Sequence, residues 1–164
     1  MNETVNPARE EKDFPRAGLL RRMAALLYDI FLVVAIWFLL GYLVQFFSGT
    51  ENNQIINGQI ETDPFIDNLL LLLMMSSCIF FYGWFWMKSG QTLGMLAWRL
   101  RVESTNGTLI SFKQVLIRWC AAWPAFFIFG VGYFWIYIDN KGDAFHDKAS
   151  RSKVVVIPKS ERPF

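Results

Sequence analysis

The sequence predicts an all-α integral membrane protein with two long transmembrane helices and a third apolar helical segment, broken by Pro and Gly, that either spans or re-enters the membrane. Three observations carry this prediction. Apolar residues make up 54% of the 164 residues and aromatics 17%. They fall in long blocks rather than in the periodic pattern of a soluble domain. The 16 Lys and Arg gather in three stretches and leave one loop without a positive charge.

Residues 1–16 are polar, mixed in charge and contain Pro7 and Pro15, so they read as a mobile arm. They lack the basic start, short apolar core and small-residue cleavage site of a signal peptide, so the first block is expected to be kept. That block, Met23 to Phe47 within a helix expected over about 20–47, holds a single charge, Asp29. At about 1.5 Å per residue it exceeds a hydrocarbon core of roughly 30 Å. The polar 48–67 stretch carries Glu51, Glu61, Asp63 and Asp67 together with turn formers. A second helix is expected over 67–88, uncharged from Asn68 to Met87, with Tyr82, Trp84 and Trp86 gathered at its end as in an interfacial aromatic belt.

The 88–114 connection holds a turn at Ser89–Gly94 that leads into a short helix. Trp98 to Val102 alternates apolar and basic residues as a strand does, Asn106-Gly107 marks a tight turn, and Ser111 is placed to cap the next helix. A third helical segment is expected over about 112–138, with Arg118 near its start and Pro124, Gly130 and Gly132 interrupting it. Pro removes a helical hydrogen bond and Gly permits bends, so one kinked span or two short helices both fit. The tail contains Val154–Ile157, a short strand candidate closed by Pro158, and residues 158–164 follow it.

Charge sets the expected topology. Five Lys and Arg precede the first block, five lie around 88–118, six lie in the tail, and none lies in the 48–67 loop. Cytoplasmic segments retain Lys and Arg, so the N-terminus and the 88–114 connection are expected in the cytoplasm and the acidic loop outside. Three full crossings would put the basic tail outside. The Pro/Gly breaks, and a small cytoplasmic β pairing of 98–103 with 153–157, favour its return to the cytoplasm.

Cys78 and Cys120 sit in apolar blocks and read as packing residues; no spacing suggests a disulfide framework or a metal. No cofactor loop or nucleophile–base set is present, so neither a cofactor nor an enzymatic activity is expected, nor is a nucleic-acid partner. The expected partners are the bilayer, anionic lipid at the basic segments, Arg99–Val102 among them, and further copies of the chain.

Three strings carry a family resemblance. They are Arg22-Met-Ala-Ala25-Leu-Leu-Tyr-Asp29, with Arg21 alongside; Gly90-Gln-Thr-Leu-Gly94, followed by Arg99-Leu-Arg-Val102; and Phe145-His146-Asp147-Lys148-Ala149-Ser-Arg-Ser152, followed by a Val run. In that order, between apolar blocks, they resemble the RDD family of bacterial membrane proteins, over about residues 17–157. The resemblance implies a multi-pass protein of the bacterial inner membrane and matches the family's Arg to Arg22, its first Asp to Asp29 and its last Asp to Asp147. Arg21 competes with Arg22 through its similar spacing. Where the family often has a Gly-Thr pair, this chain has Ser150-Arg151-Ser152. Transport is the role usually suggested for the family, with cation/proton exchange claimed for some members.

On physical grounds Asp29 stands out. A carboxylate inside a membrane helix costs about 2.5–3.5 kcal/mol on insertion scales, so it must be paired, hydrated or protonated. Arg22 lies seven residues earlier on the same helix face, about 10 Å away along the axis. That is long for a direct bond, and Arg118 is a further candidate partner. A proton or cation site and a buried polar clasp both fit Asp29. Asp147, beside His146, fits a salt bridge or helix cap tying the tail to Arg99, Arg101 or Arg22. Gly90 and Gly94 fit a tight turn and close packing. A small ion or solute transporter and a structural or accessory membrane protein are the two functional readings.

Overall fold

The computed structural model describes residues 14–49, 53–56, 59–128 and 130–159. Most of the predicted arm and most of the 158–164 tail lie outside the described residues.

Helix α1, Leu19–Ser48, and helix α2, Pro64–Lys88, are each long and apolar enough to cross a membrane. At about 1.5 Å per residue they reach roughly 45 and 38 Å. A soluble core helix passes the same test of length and composition, but its apolar side chains are covered. Here only 6% and 11% of the most apolar stretches is buried. Phe31, Phe38, Phe47, Leu72 and Phe80 all point outward, as a lipid-facing surface requires. The buried residues of α1 are Arg22, Ala25, Asp29 and Val33, spaced three or four apart along one stripe. The helix is therefore apolar outside and carries its two buried charges on the face turned toward the protein.

Between α1 and α2, in the stretch read as a polar loop with turn formers, the chain forms an antiparallel hairpin, β1 (Asn53–Ile56) with β2 (Gln59–Thr62). The sequence between the strands is Asn57-Gly58, the pair most suited to a two-residue hairpin. Helix α2 begins three residues before its expected start. Pro64 occupies its first turn, and the Asp63 side chain accepts the Phe65 N–H at 2.7 Å. Trp37 Nε1 donates to Ser77 Oγ at 3.2 Å and ties the two long helices together.

Thr92 caps a short helix, α3 (Leu93–Trp98), and Arg99 ends it in the left-handed region at φ 58°. The left-handed cap delays the strand expected from Trp98, so β3 is Leu100–Ser104. Helix α4, Phe112–Phe127, starts on a reciprocal cap in which Ser111 and Gln114 each satisfy the other's backbone N–H. After it come α5 (Val131–Phe134), a 3-10 turn at Trp135–Tyr137, α6 (Phe145–Ala149) and β4 (Ser152–Val156).

The third apolar segment is thus not one helix over 112–138. Pro124 does not end α4, because its carbonyl still accepts the Ile128 N–H at 3.0 Å. The break falls at Gly130, whose φ of 71° no helix can continue. Helix α4 reaches about 24 Å, short of a bilayer core. Both ends of the segment meet the 145–151 stretch: Gln114 Nε2 donates to the Ser150 carbonyl at 3.1 Å, and the Trp135 and Phe145 rings lie 6.5 Å apart. The chain leaves and returns at the same end of the molecule.

At that end β3 and β4 pair antiparallel from Leu100↔Val156 to Ser104↔Ser152. The register differs by a residue or two from the expected 98–103 with 153–157. Residues 15–17 line the other edge of β4: Ala17 N donates to the Val154 carbonyl and Val156 N to the Pro15 carbonyl, both at 2.9 Å. Residues 15 and 16, read from sequence as part of the arm, are therefore tied to the sheet. Leu100, Val102, Val115, Val154 and Val155 are fully buried around this sheet, which is where the core sits.

Candidate functional site

Asp147 is wholly buried and shared by two arginines. One oxygen, Oδ2, accepts from Arg22 Nη1 and from the Ala144 backbone N–H at 3.1 Å, so it also caps α6. Oδ1 accepts from Arg118 Nη1, which also donates to Ser152 Oγ at 2.6 Å. Arg22 is steadied by its Nε–H on the Ala17 carbonyl at 2.9 Å. Burial pushes the Asp147 carboxyl up, but the Arg118 and Arg22 charges outweigh it and hold the group well below the usual carboxylate range. His146 Nε2 lies 3.5 Å from Asp147 Oδ1. Burial first, then the Arg118 charge, push this imidazole down to about 3, so it is neutral at pH 7.

Asp29 does not meet Arg22 or Arg118. Its Oδ2 accepts from Thr92 Oγ1 at 2.6 Å, and its Oδ1 from the Gly94 backbone N–H at 2.9 Å. Thr92 Oγ1 in turn accepts the Met95 N–H at 3.2 Å, so one hydroxyl caps α3 and binds the carboxylate of α1. The cause of the altered partnership is Gly94. A Cβ there would stand 2.2 Å from the Ala25 carbonyl oxygen. Only glycine lets the first turn of α3 come close enough to α1 for its backbone N–H to reach Asp29. The positive end of the α3 peptide dipoles adds to the pairing.

Gly90 does similar work one turn earlier. Its φ is 74°, its carbonyl accepts Val102 N–H at 2.7 Å, and a Cβ would stand 2.8 Å from the Val102 carbonyl oxygen. Arg21 is exposed on another face of α1 and takes no part in the clasp. Of the three arginines weighed as partners of Asp147, Arg22 is the one that meets it; Arg101 pairs with Glu103 within β3.

The two acid clusters border one cavity of about 260 Å³. Arg22, Ala25 and Asp29 from α1, Tyr82 and Trp86 from α2, Arg118 and Trp119 from α4, and His146 from α6 line it. The Arg118 guanidinium lies over the Trp86 ring, 5.1 Å from its centre.

Thr92 and Ser152 are contributors that sequence reasoning passed over. Thr92 carried a signal, since it stands at the N-cap position of a helix inside the quoted Gly90–Gly94 string. Ser152 carried none beyond closing its string.

These features define a class: a small, mostly helical protein with two membrane-length helices, in which a buried Arg–Asp–Arg clasp ties α1, α4 and α6 together at one end and a second Asp joins α1 to α3 through neutral donors. The chain belongs to the RDD family, whose model matches residues 16–151. No curated protein and no solved structure gives a match.

Proposed function

We propose that this RDD-family chain is a multi-pass protein of the bacterial inner membrane that moves a small ion or solute, with Asp29 as the group that exchanges a proton or cation. The observation supporting this is that Asp29, a carboxylate inside a membrane-length helix, borders a cavity between α1, α2 and α4 and has no cationic partner among the described residues. Such a carboxylate is a functional candidate by default. Two long helices and a returning limb are too little wall for a private pathway, so the reading calls for a homo-oligomer. The Lys and Arg of the basic segments support a cytoplasmic N-terminus and β3, because cytoplasmic segments retain positive charge. The pairing of β4 with β3 and with residues 15–17 supports the same side for the tail. The role is passage rather than catalysis. In proteoliposomes, Asp29→Asn is expected to abolish proton-coupled cation flux while the protein still folds; flux equal to wild type refutes the proposal.

A second reading is a structural or accessory membrane protein. The full pairing of Asp147 and the two hydrogen bonds on Asp29 favour it, because both describe a lock between segments. Under it Asp29→Asn lowers thermal stability and no oligomer conducts.

A further inference from the structure

We infer that the cavity between α1, α2 and α4 binds an anionic amphiphile, a molecule with a carboxylate or phosphate head on an apolar tail, and that Arg118 takes the head. Arg118 is buried and uses one nitrogen, Nη1, for both Asp147 and Ser152. Its Nε and Nη2 have no hydrogen-bond partner among the described residues. A guanidinium edge of this kind offers parallel N–H donors matched to two oxygens of one oxyanion. Neither nitrogen is cut off from water, so both open into the cavity, where an oxyanion can take the place of water. The buried Trp86 Nε1–H, on the wall of the same cavity, also lacks an acceptor among the described residues.

The charges fit. Arg22, Arg118 and Asp147 together carry one net positive charge, and His146 is neutral beside them. The acid on the same cavity, Asp29, already has both oxygens bonded at the start of α3. The rest of the lining is apolar or aromatic. Met23 and Trp123 border the cavity and are also exposed on the outer surface, so its mouth opens onto the faces that meet lipid. A tail can leave that way while the head stays at Arg118. The site does not depend on transport and stands equally for a scaffold.

The test uses the full chain in phosphatidylcholine nanodiscs with a bromine-tailed dodecanoate, which quenches tryptophan fluorescence on contact. Saturable quenching is expected, and dodecanoate or dodecyl phosphate should displace the probe. Dodecanol should do so about tenfold less well or worse, because it lacks the charge-assisted bonds. Arg118→Lys keeps a cation for Asp147 but removes the planar edge, and should weaken the probe by a similar factor. Ala122→Phe fills the cavity without touching the clasp and should abolish saturable quenching at an unchanged thermal midpoint. That variant decides the matter if Arg118→Lys fails to fold. Equal displacement by dodecanol overturns the oxyanion head. Equal displacement by inorganic phosphate assigns the site to a free anion and overturns the amphiphile. Unaltered quenching in folded Ala122→Phe overturns the cavity.

Discussion

Lowering the pH from 7 to 4 is expected to destabilise the protein through one side chain, His146. In the unfolded chain this imidazole takes a proton near 6.5; in the folded protein it does so only near about 3. Between those values the proton binds the unfolded form alone, so acid pulls the equilibrium toward unfolding. The contribution is absent above 6.5, where both forms are neutral, and grows by about 1.4 kcal/mol per pH unit below it. That amounts to about 3 kcal/mol at pH 4 and about 5 kcal/mol by pH 3. The ring is 6% exposed, so solvent screening removes little of this. Asp147 works in its own window: its carboxyl is held down in the fold, so its contribution is complete above the ordinary carboxylate value of 3.8 and is lost only below it. The comparison to make is with His146→Phe, which keeps a ring against Tyr133, now 5.0 Å from the imidazole. Unfolding free energies from denaturant titration in mixed micelles should diverge, the wild type losing about 3 kcal/mol relative to the variant between pH 7 and 4. Parallel pH curves for the two proteins would refute the reasoning.

Asp147→Asn should cost about 3–5 kcal/mol in the same titration, because two buried arginines then face each other with no charge between them; a loss below 1 kcal/mol would mean the clasp is wet. Gly94→Ala should cost about 1–3 kcal/mol or more, since its Cβ would meet the backbone of α1, which cannot give way as a side chain can. Gly41→Ala, within α1 and with nothing within 4 Å, should be neutral or stabilise by up to about 1 kcal/mol. Equal effects at the two glycines would contradict the close approach of α1 and α3. Lys159→Cys should react with an impermeant maleimide only after permeabilisation of the cells, and labelling of intact cells would put the tail outside.

What could be read from sequence was set by near neighbours. The long apolar blocks announce α1 and α2 because lipid demands about 20 apolar residues in a row. Ser111 announces a helix start because capping is decided within four residues. The β3–β4 pairing was readable from alternation and charge, but its register moved once Arg99 adopted a left-handed cap. The partner of Asp29 was not readable. One partner is a backbone N–H, which every residue but proline has, and only the packing of Gly94 against Ala25 singles it out. The pairing of Arg118 with Asp147 was equally hidden, since it rests on the return of the chain after Gly130.

The clasp also has a history in time. Arg22 and Asp147 are 125 residues apart, and Asp29 and Thr92 are 63 apart. At a synthesis rate of about 5–20 residues per second, Arg22 emerges from the ribosome roughly 6–25 s before the acid that neutralises it. Helix α1 therefore enters the membrane with its buried stripe unmatched, and Asp29 is satisfied first, when the start of α3 arrives. Strand β4, made after all of these, closes the end of the molecule by pairing with both β3 and residues 15–17. A chain stopped between Arg118 and Asp147 has both long helices made but leaves two cations without the acid that pairs them in the fold.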